Sequence, residues 1–314
     1  MTIPSDRQPT LAFLGPEGTF AHAALLTLPI AQTAVLLPMP NVTVAIDAVR
    51  DGRADGTLVP LENSVEGAVP ATLDELSGGE QLRIAEETYL PVIFDLLVRP
   101  GTKLKDIRTV ATHPHAEAQT RRWLMANLPG VGVALVGSTA GGAKAVAENR
   151  FDAAIAPPVA AGIYGLKSLE ADIADNHAAV TRFVLLARPD APGIPTGNDR
   201  TSLVAYLRED HSGALLEILS EFASRGVNLT RIESRPTKER IGVYCFSIDC
   251  EGHIADERVG DALAALRRIC ADVRFLGSYP RRDGQMDVVV SGRSNQDFHQ
   301  SRNWLAELRA SGRG

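Results

Sequence analysis

The sequence predicts an α/β region followed by a separate, smaller α+β domain. Three observations carry this. Short apolar runs alternate with helix-period stretches from Thr10 to about Arg188. A break, PDAPGIPTGN, then holds three prolines and two glycines at Pro189–Asn198. Beyond it the pattern restarts as strand, helix, two strands, helix, strand. At 314 residues, two domains are the natural division.

In the first region strands are expected at Leu11–Leu14, Val35–Leu37, Gly56–Val59, Thr109–Thr112, Val133–Val136, Ala153–Ala156 and Phe183–Ala187. Helices are expected near Phe20–Leu28, Val42–Asp51, Pro114–Asn127 and Ala140–Asn149. Tyr89–Val98 is long, apolar and extended, suited to crossing between two lobes. After the break, Thr201–Leu207, Asn228–Ser234, Gly242–Asp249 and Val273–Tyr279 read as strands. Gly213–Ser224 and Ile254–Ile269 read as helices. The order βαββαβ is the ferredoxin-like unit. One such sheet leaves edges that favour pairing, so a homodimer or homotetramer is expected. Arg281–Gly314 is expected to be a flexible tail, with a short helix at Ser301–Leu308.

Composition narrows the function. The chain is 45% apolar and 22% charged, ordinary for a well-cored soluble protein. A net charge of -6 argues against a nucleic-acid partner, which needs a concentrated basic face. No apolar run approaches the roughly 18 residues that span a bilayer, so no membrane role is expected. MTIPSDRQPTLA lacks the basic start and apolar core of a signal peptide, which makes the cytoplasm the default. Cys245, Cys250 and Cys270 form no CxxC pair and read as reduced, packed thiols rather than metal ligands.

Five segments carry chemistry-bearing residue types. Gly15-Pro16-Glu17-Gly18-Thr19-Phe20 joins a strand to a helix, with glycines that permit close approach of a ligand and Thr19 as a cap. It fits neither the GxGxxG of a dinucleotide loop nor the GK[ST] of a phosphate loop, so no cofactor is expected. Leu61–Gly67, LENSVEG, follows a buried strand; it reads equally as a ligand site and as a helix start with Asn63 or Ser64 capping and Glu66 in the first turn. Thr112-His113-Pro114-His115 opens a helix that carries Gln119; His113 is a candidate acid or base, although a structural histidine is the commoner case. Ser138-Thr139-Ala140 caps a helix whose Gly141-Gly142 pair suits close packing or ligand approach. Thr181-Arg182-Phe183 begins the last strand of the region.

Together, in order and spacing, GPEGTF, LENSVEG, THPHAEAQ, STAGGAKAV and TRF resemble the successive motifs of the prephenate dehydratase family. GALLEILSEFASRGVNLTRIESRP resembles the ACT domain appended to it. The resemblance covers residues 10 to about 280. It implies a catalytic region at 8–190 with two lobes similar to type 2 periplasmic binding proteins, about 10–85 with 178–188 and about 90–175. A linker at 191–199 and an ACT domain at 200–280 would follow. It implies loss of CO2 and water from prephenate, giving phenylpyruvate for L-phenylalanine biosynthesis.

The resemblance nominates Thr181 as the central catalytic group, with Glu62, Asn63, Ser64 and Gln119 supporting it. Thr19, Phe20, Ser138, Thr139, Arg182 and Phe183 become substrate-binding candidates. Phenylalanine, as allosteric inhibitor, would meet Gly213, Ala214, Leu215, Asn228, Leu229, Glu233, Ser234 and Arg235. Three departures stand out: Ala21 where serine is commoner, Thr112 and His115 where SHPQ is commoner, and Gly141-Gly142 where larger residues are usual. An arogenate dehydratase and a non-catalytic two-lobed amino-acid sensor are the alternatives.

Overall fold

The computed structural model describes residues 7–237, 243–286 and 289–311. The chain opens with β1 (Thr10–Leu14), α1 (Phe20–Leu26), β2 (Val35–Met39), α2 (Val42–Arg50), β3 (Gly56–Asn63), a two-residue β4 (Gly67–Ala68), α3 (Pro70–Ser77) and β5 (Arg83–Pro91). It continues through β6 (Asp95–Val98), β7 (Thr109–Thr112), α4 (Pro114–Asn127), β8 (Gly132–Leu135), α5 (Thr139–Ala147), β9 (Ala153–Ala156), α6 (Val159–Tyr164) and β10 (Lys167–Glu170). It returns as β11 (Val180–Ala187).

These strands form two sheets. One has the order β2-β1-β3-β11-β5, with β4 on β3; the other has β10-β6-β9-β7-β8. β6, which follows β5 directly, already belongs to the second sheet, and β11 returns to the first. Tyr89–Val98 is therefore the crossing segment that its composition suggested. Parallel pairing of β1 with β2 and β3, and of β7 with β8 and β9, buries the central strands on both faces. Leu11, Ala12, Phe13 and Ala153–Ala156 are accordingly fully buried, as are Leu96 and Leu97 on β6, which pairs antiparallel with β9 and β10.

The expected strand cores are all present, but β3 runs to Asn63 instead of stopping at Val59. The added length carries Glu62 and Asn63 as strand residues. α3, α6 and β10 were not anticipated. The helices have only eight and six residues, and the exposed edge strand KSLE shows no apolar alternation.

By contacts the chain divides into Thr2–Thr72 with Thr88–Leu186, and Leu73–Glu87 with Ala187–Gly314. In the second unit β12 (Asp199–Tyr206), α7 (Ala214–Ala223), β13 (Leu229–Pro236), β14 (Tyr244–Glu251), α8 (Glu257–Ile269) and β15 (Asp272–Pro280) give the expected βαββαβ order. Its antiparallel sheet is β13-β14-β12-β15. Leu203, Ile218, Phe222, Ile248, Val259 and Leu266 form the core between sheet and helices. Gly242, the expected start of the third strand, lies outside the described residues.

Leu73–Glu87, which the sequence reading placed mostly in the first lobe, groups with this unit. The reason is a set of bonds to residues far along the chain. Gln81 Nε2 donates to Phe275 O at 2.6 Å, Arg274 donates to Gly78 O at 2.6 Å, and Arg235 pairs with Asp74 at 2.6 Å. The Tyr206 hydroxyl donates to Ser77 O. Gly277, at φ +136°, lies so close to Ile84 that a Cβ would come within 2.5 Å of its carbonyl oxygen.

The stretch expected to be a tail begins in a charged cluster. Buried Arg281 pairs with Glu251 at 3.0 Å and Asp283 at 2.8 Å, and Arg200 joins Glu87 at 2.5 Å and Asp283 at 2.6 Å. Burial alone would raise the Asp283 carboxyl, but the Arg281 guanidinium, the Gln285 N–H and the Arg200 charge hold it down to about 2. The short helix expected at Ser301–Leu308 is instead α9 (Asn295–Ser311), with Ser294 and Asp297 hydrogen-bonded at its start. Residues 287, 288 and 312–314 of that stretch, like 1–6 of the N-terminal segment, lie outside the described residues.

Cys245, Cys250 and Cys270 are free and buried, and burial pushes the Cys270 thiol up to about 11. Among the described residues no helix is long and apolar enough to cross a membrane.

Candidate active site

A cavity of about 630 Å³ lies within the Thr2–Thr72/Thr88–Leu186 unit. Elements of both sheets line it: Thr19, Phe20, Asn63, Thr181 and Phe183 from the first, and Phe94, His113, Gln119, Ser138 and Thr139 from the second. Thus eight of the eleven catalytic or substrate-binding candidates meet in one place. Glu62, Ser64 and Arg182 are not among its lining residues.

A short polar contact in the cavity joins the end of β3 to the start of β11. Asn63 Nδ2 donates to Thr181 Oγ1 at 2.8 Å. Asn63 Oδ1 accepts from the backbone N–H groups of Val65 at 2.8 Å and Glu66 at 3.0 Å. Two N–H groups on one atom identify that atom as the oxygen, so the amide can present only its NH2 to Thr181. The Thr181 hydroxyl therefore accepts from Asn63 and keeps its own hydrogen for another acceptor. The same bonds overturn the reading of LENSVEG as a helix start: it is a turn from β3 into β4, built by Asn63.

Alternation along β11 explains Arg182. Thr181 and Phe183 line the cavity, while the intervening side chain is directed to the other face of the strand. There the buried Arg182 guanidinium lies 3.8 Å from the half-exposed Glu62 carboxylate. Ser64 ties the same strand ends together through backbone groups: Val180 N–H donates to Ser64 Oγ at 3.0 Å, and Ser64 N–H to Val180 O at 2.9 Å. These three residues lie outside the cavity lining.

In the GPEGTF segment Gly15 lines the cavity, and both glycines also pack closely against protein. A Cβ on Gly15 would lie 2.7 Å from Pro38 Cβ, and one on Gly18 would lie 3.2 Å from Ala160 on α6. Gly18 also has φ +87°, which favours glycine. Thr19 caps α1 as expected, accepting from His22 N–H at 3.3 Å and donating to Leu14 O at 2.8 Å. Phe20 packs edge-on against Phe94 at 5.2 Å between centroids. Ser138 caps α5 by accepting from Gly141 N–H at 2.9 Å. Gly142 is a packing glycine, since a Cβ would lie 3.0 Å from Ala111 O.

On α4, His113 is the cap: its Nδ1 accepts from His115 N–H at 3.3 Å, and its ring stacks on His115 at 5.2 Å. Burial, aided by the His115 charge, lowers the His113 pKa and favours the neutral ring that capping requires. Thr112 is fully buried and donates to Ile155 O at 2.9 Å, a structural role. Glu66, His115 and Phe94 line the cavity but were not nominated. The motif segments contained the first two, yet nothing in their spacing showed that they meet across some fifty positions of chain.

The second group of candidates sits in the other unit. Gly213 has φ +95° and starts α7; Ala214 is buried and Leu215 partly exposed. Asn228 O accepts from Glu251 N–H at 2.9 Å, and Leu229 pairs with Cys250. Glu233, Ser234 and Arg235 lie on β13, at the edge of its sheet. A hollow of about 210 Å³ beside the Gly213 turn includes Ala214 but none of the β13 candidates. Arg235 directs both Nε and a terminal nitrogen to Asp74.

Comparison with known proteins agrees with this geometry. Residues 11–191 match the family described as prephenate dehydratase, and residues 201–268 match the ACT domain. A prephenate dehydratase of Amycolatopsis methanolica is 50% identical over 301 residues, covering 95% of this chain and 97% of that one. The crystal structure of prephenate dehydratase in complex with L-Phe from Arthrobacter aurescens superimposes with a TM-score of 0.91 at 49% identity, covering 96% of this chain and 99% of that one. GqqA, described as a novel type of quorum quenching acylase, gives a TM-score of 0.77 at 32% identity, covering 87% and 98%. With two lobes around one cavity, an ACT domain following them in sequence and half of its residues identical to a relative's over almost the whole chain, this protein belongs to the prephenate dehydratase family.

Proposed function

We propose that this chain is a prephenate dehydratase, a carbon–oxygen lyase that converts prephenate to phenylpyruvate for L-phenylalanine biosynthesis. The observation that carries the mechanism is the Asn63–Thr181 pair in the shared cavity. Loss of CO2 releases the electron pair of the ring-to-carboxylate bond into the ring. The bond to the ring hydroxyl breaks at the far end, and the ring becomes aromatic. The departing oxygen needs a hydrogen-bond donor as negative charge develops on it. Thr181 is that donor, and Asn63, by donating to the same oxygen, polarises its O–H bond.

Phe20, Phe94 and Phe183 offer the ring an apolar wall, which leaves its carboxylate poorly solvated and eases departure of CO2. The N–H groups at the start of α5, beside Ser138 and Thr139, suit the side-chain carboxylate. Gln119 supplies a further polar contact from the second lobe.

Catalytic residues thus fall within 8–190, with a linker at 191–199 and a regulatory ACT domain at 200–280. L-Phenylalanine, the ligand in the Arthrobacter aurescens structure, is the inhibitor. The edge strand β13, which carries Glu233, Ser234 and Arg235, suits pairing with a second copy, so a homodimer or homotetramer would bring the Gly213–Leu215 turn and Asn228–Arg235 together around the ligand at an interface. The enzyme works in the cytoplasm.

Kinetics on prephenate and arogenate side by side test the reading. Faster turnover of prephenate supports it, and a higher kcat/KM for arogenate replaces it with the arogenate alternative. An acylase assay run in parallel checks the activity that the GqqA likeness brings to mind.

A further inference from the structure

The turn that Asn63 builds sends one carboxylate across the cavity. Glu66 Oε1 accepts from Gln119 Nε2 at 3.3 Å, and Glu66 Oε2 lies 3.3 Å from His115 Nδ1. His115 and Gln119 are one helical turn apart on α4, so they present a common face. Glu66 follows β3 of the first sheet, whereas α4 follows β7 of the second. One side chain therefore links the Thr181–Asn63 pair, through the turn, to the opposite wall of the cavity.

The chemistry of the site gives that link a purpose. Prephenate carries two carboxylates, so a third facing the cavity is unfavourable unless its lone pairs are occupied. Here Gln119 donates to one oxygen of Glu66, and the His115 ring, a donor when protonated, faces the other. The contacts are long and half-exposed, as catalytic hydrogen bonds often are before substrate draws the walls together.

We propose that Glu66 is a positioning residue for the dehydratase reaction. It holds Gln119 against the Thr181–Asn63 pair, and with His115 it fastens the two lobes over the substrate. The inference rests on the dehydratase reading. His115, at the position where the commoner motif has glutamine, keeps the required donor.

Steady-state kinetics on the full-length protein test this. Glu66→Ala should lower kcat/KM for prephenate about tenfold, equivalent to about 1.4 kcal/mol. Glu66→Gln should stay within about threefold of wild type, because its amide oxygen still accepts from Gln119. If Glu66 acts through Gln119 and His115, adding Glu66→Ala to a Gln119→Ala/His115→Ala background should slow it by no more than about twofold. Fully multiplicative losses, or a folded Glu66→Ala with normal kcat/KM, overturn the proposal while leaving the dehydratase reading intact. Wild-type protein that forms no phenylpyruvate removes both. Should Glu66→Ala fail to fold, His115 decides: alanine there should reduce kcat/KM and glutamine restore it, and equal values for the two overturn the proposal.

Discussion

Thr181 and Asn63 act as a pair because each atom of the Asn63 amide has a separate task. One end organises the turn, and the other addresses the hydroxyl. Asn63→Asp keeps an acceptor for the Val65 and Glu66 N–H groups but loses the donor to Thr181. Its kcat should fall on the order of 10²-fold with little change in melting temperature, which turnover assays and calorimetry would read. Asp283 offers a second test. Its folded carboxyl sits near 2, below the ordinary 3.8, so its contribution is fully present above about pH 4 and is lost as pH falls through 2. Asp283→Asn should cost about 2 kcal/mol at pH 7, and urea melts should show the difference closing toward pH 2. Thr181, Asn63, Gln119 and Ser138, nominated from the sequence, do line one cavity, because their motifs sit at strand ends and helix starts. Arg182 lies outside the cavity lining, and a tripeptide motif does not reveal which of its residues a strand turns inward. Glu66 was passed over because its partners lie on α4, some fifty positions further along the chain.

At the scale of elements, apolar periodicity located the buried strands and the longer helices. Those patterns follow directly from burial on one face or two. α3, α6 and β10 escaped because they are short or exposed, and α9 was underestimated because no residue of it is buried. The Gly141-Gly142 pair was read two ways, and packing decides it: α5 approaches β7 at Gly142. Gly142→Ala places a methyl 3.0 Å from Ala111 O, so the helix must shift. A loss of about 1–3 kcal/mol is expected in denaturant melts, despite the better helix propensity of alanine. Gly141→Ala meets only the Ser138 hydroxyl, and its main effect should fall on the cap.

For the whole molecule, the α/β region and the βαββαβ domain were legible from the order of elements, and the proline-rich break marked where one gives way to the other. The grouping of Leu73–Glu87 with the C-terminal unit was not, because it depends on side-chain bonds to residues nearly two hundred positions away. This changes what truncation should do. Protein ending near Ala187 would leave Asp74, Gly78, Gln81 and Glu87 without Arg235, Arg274, Phe275 O and Arg200. It should lose phenylalanine inhibition and also melt at a lower temperature than the full chain. In the full chain, phenylalanine should inhibit without competing with prephenate, and titration calorimetry beside inhibition kinetics would detect both binding and its pattern. The claim on which all of this depends is that the Thr181 hydroxyl assists departure of the ring hydroxyl. Measuring kcat for phenylpyruvate formation by wild type, Thr181→Ser and Thr181→Ala tests it most directly. Thr181→Ser should retain substantial activity and Thr181→Ala should fall by about 10²-fold or more; near-normal turnover by folded Thr181→Ala would contradict a role for the hydroxyl.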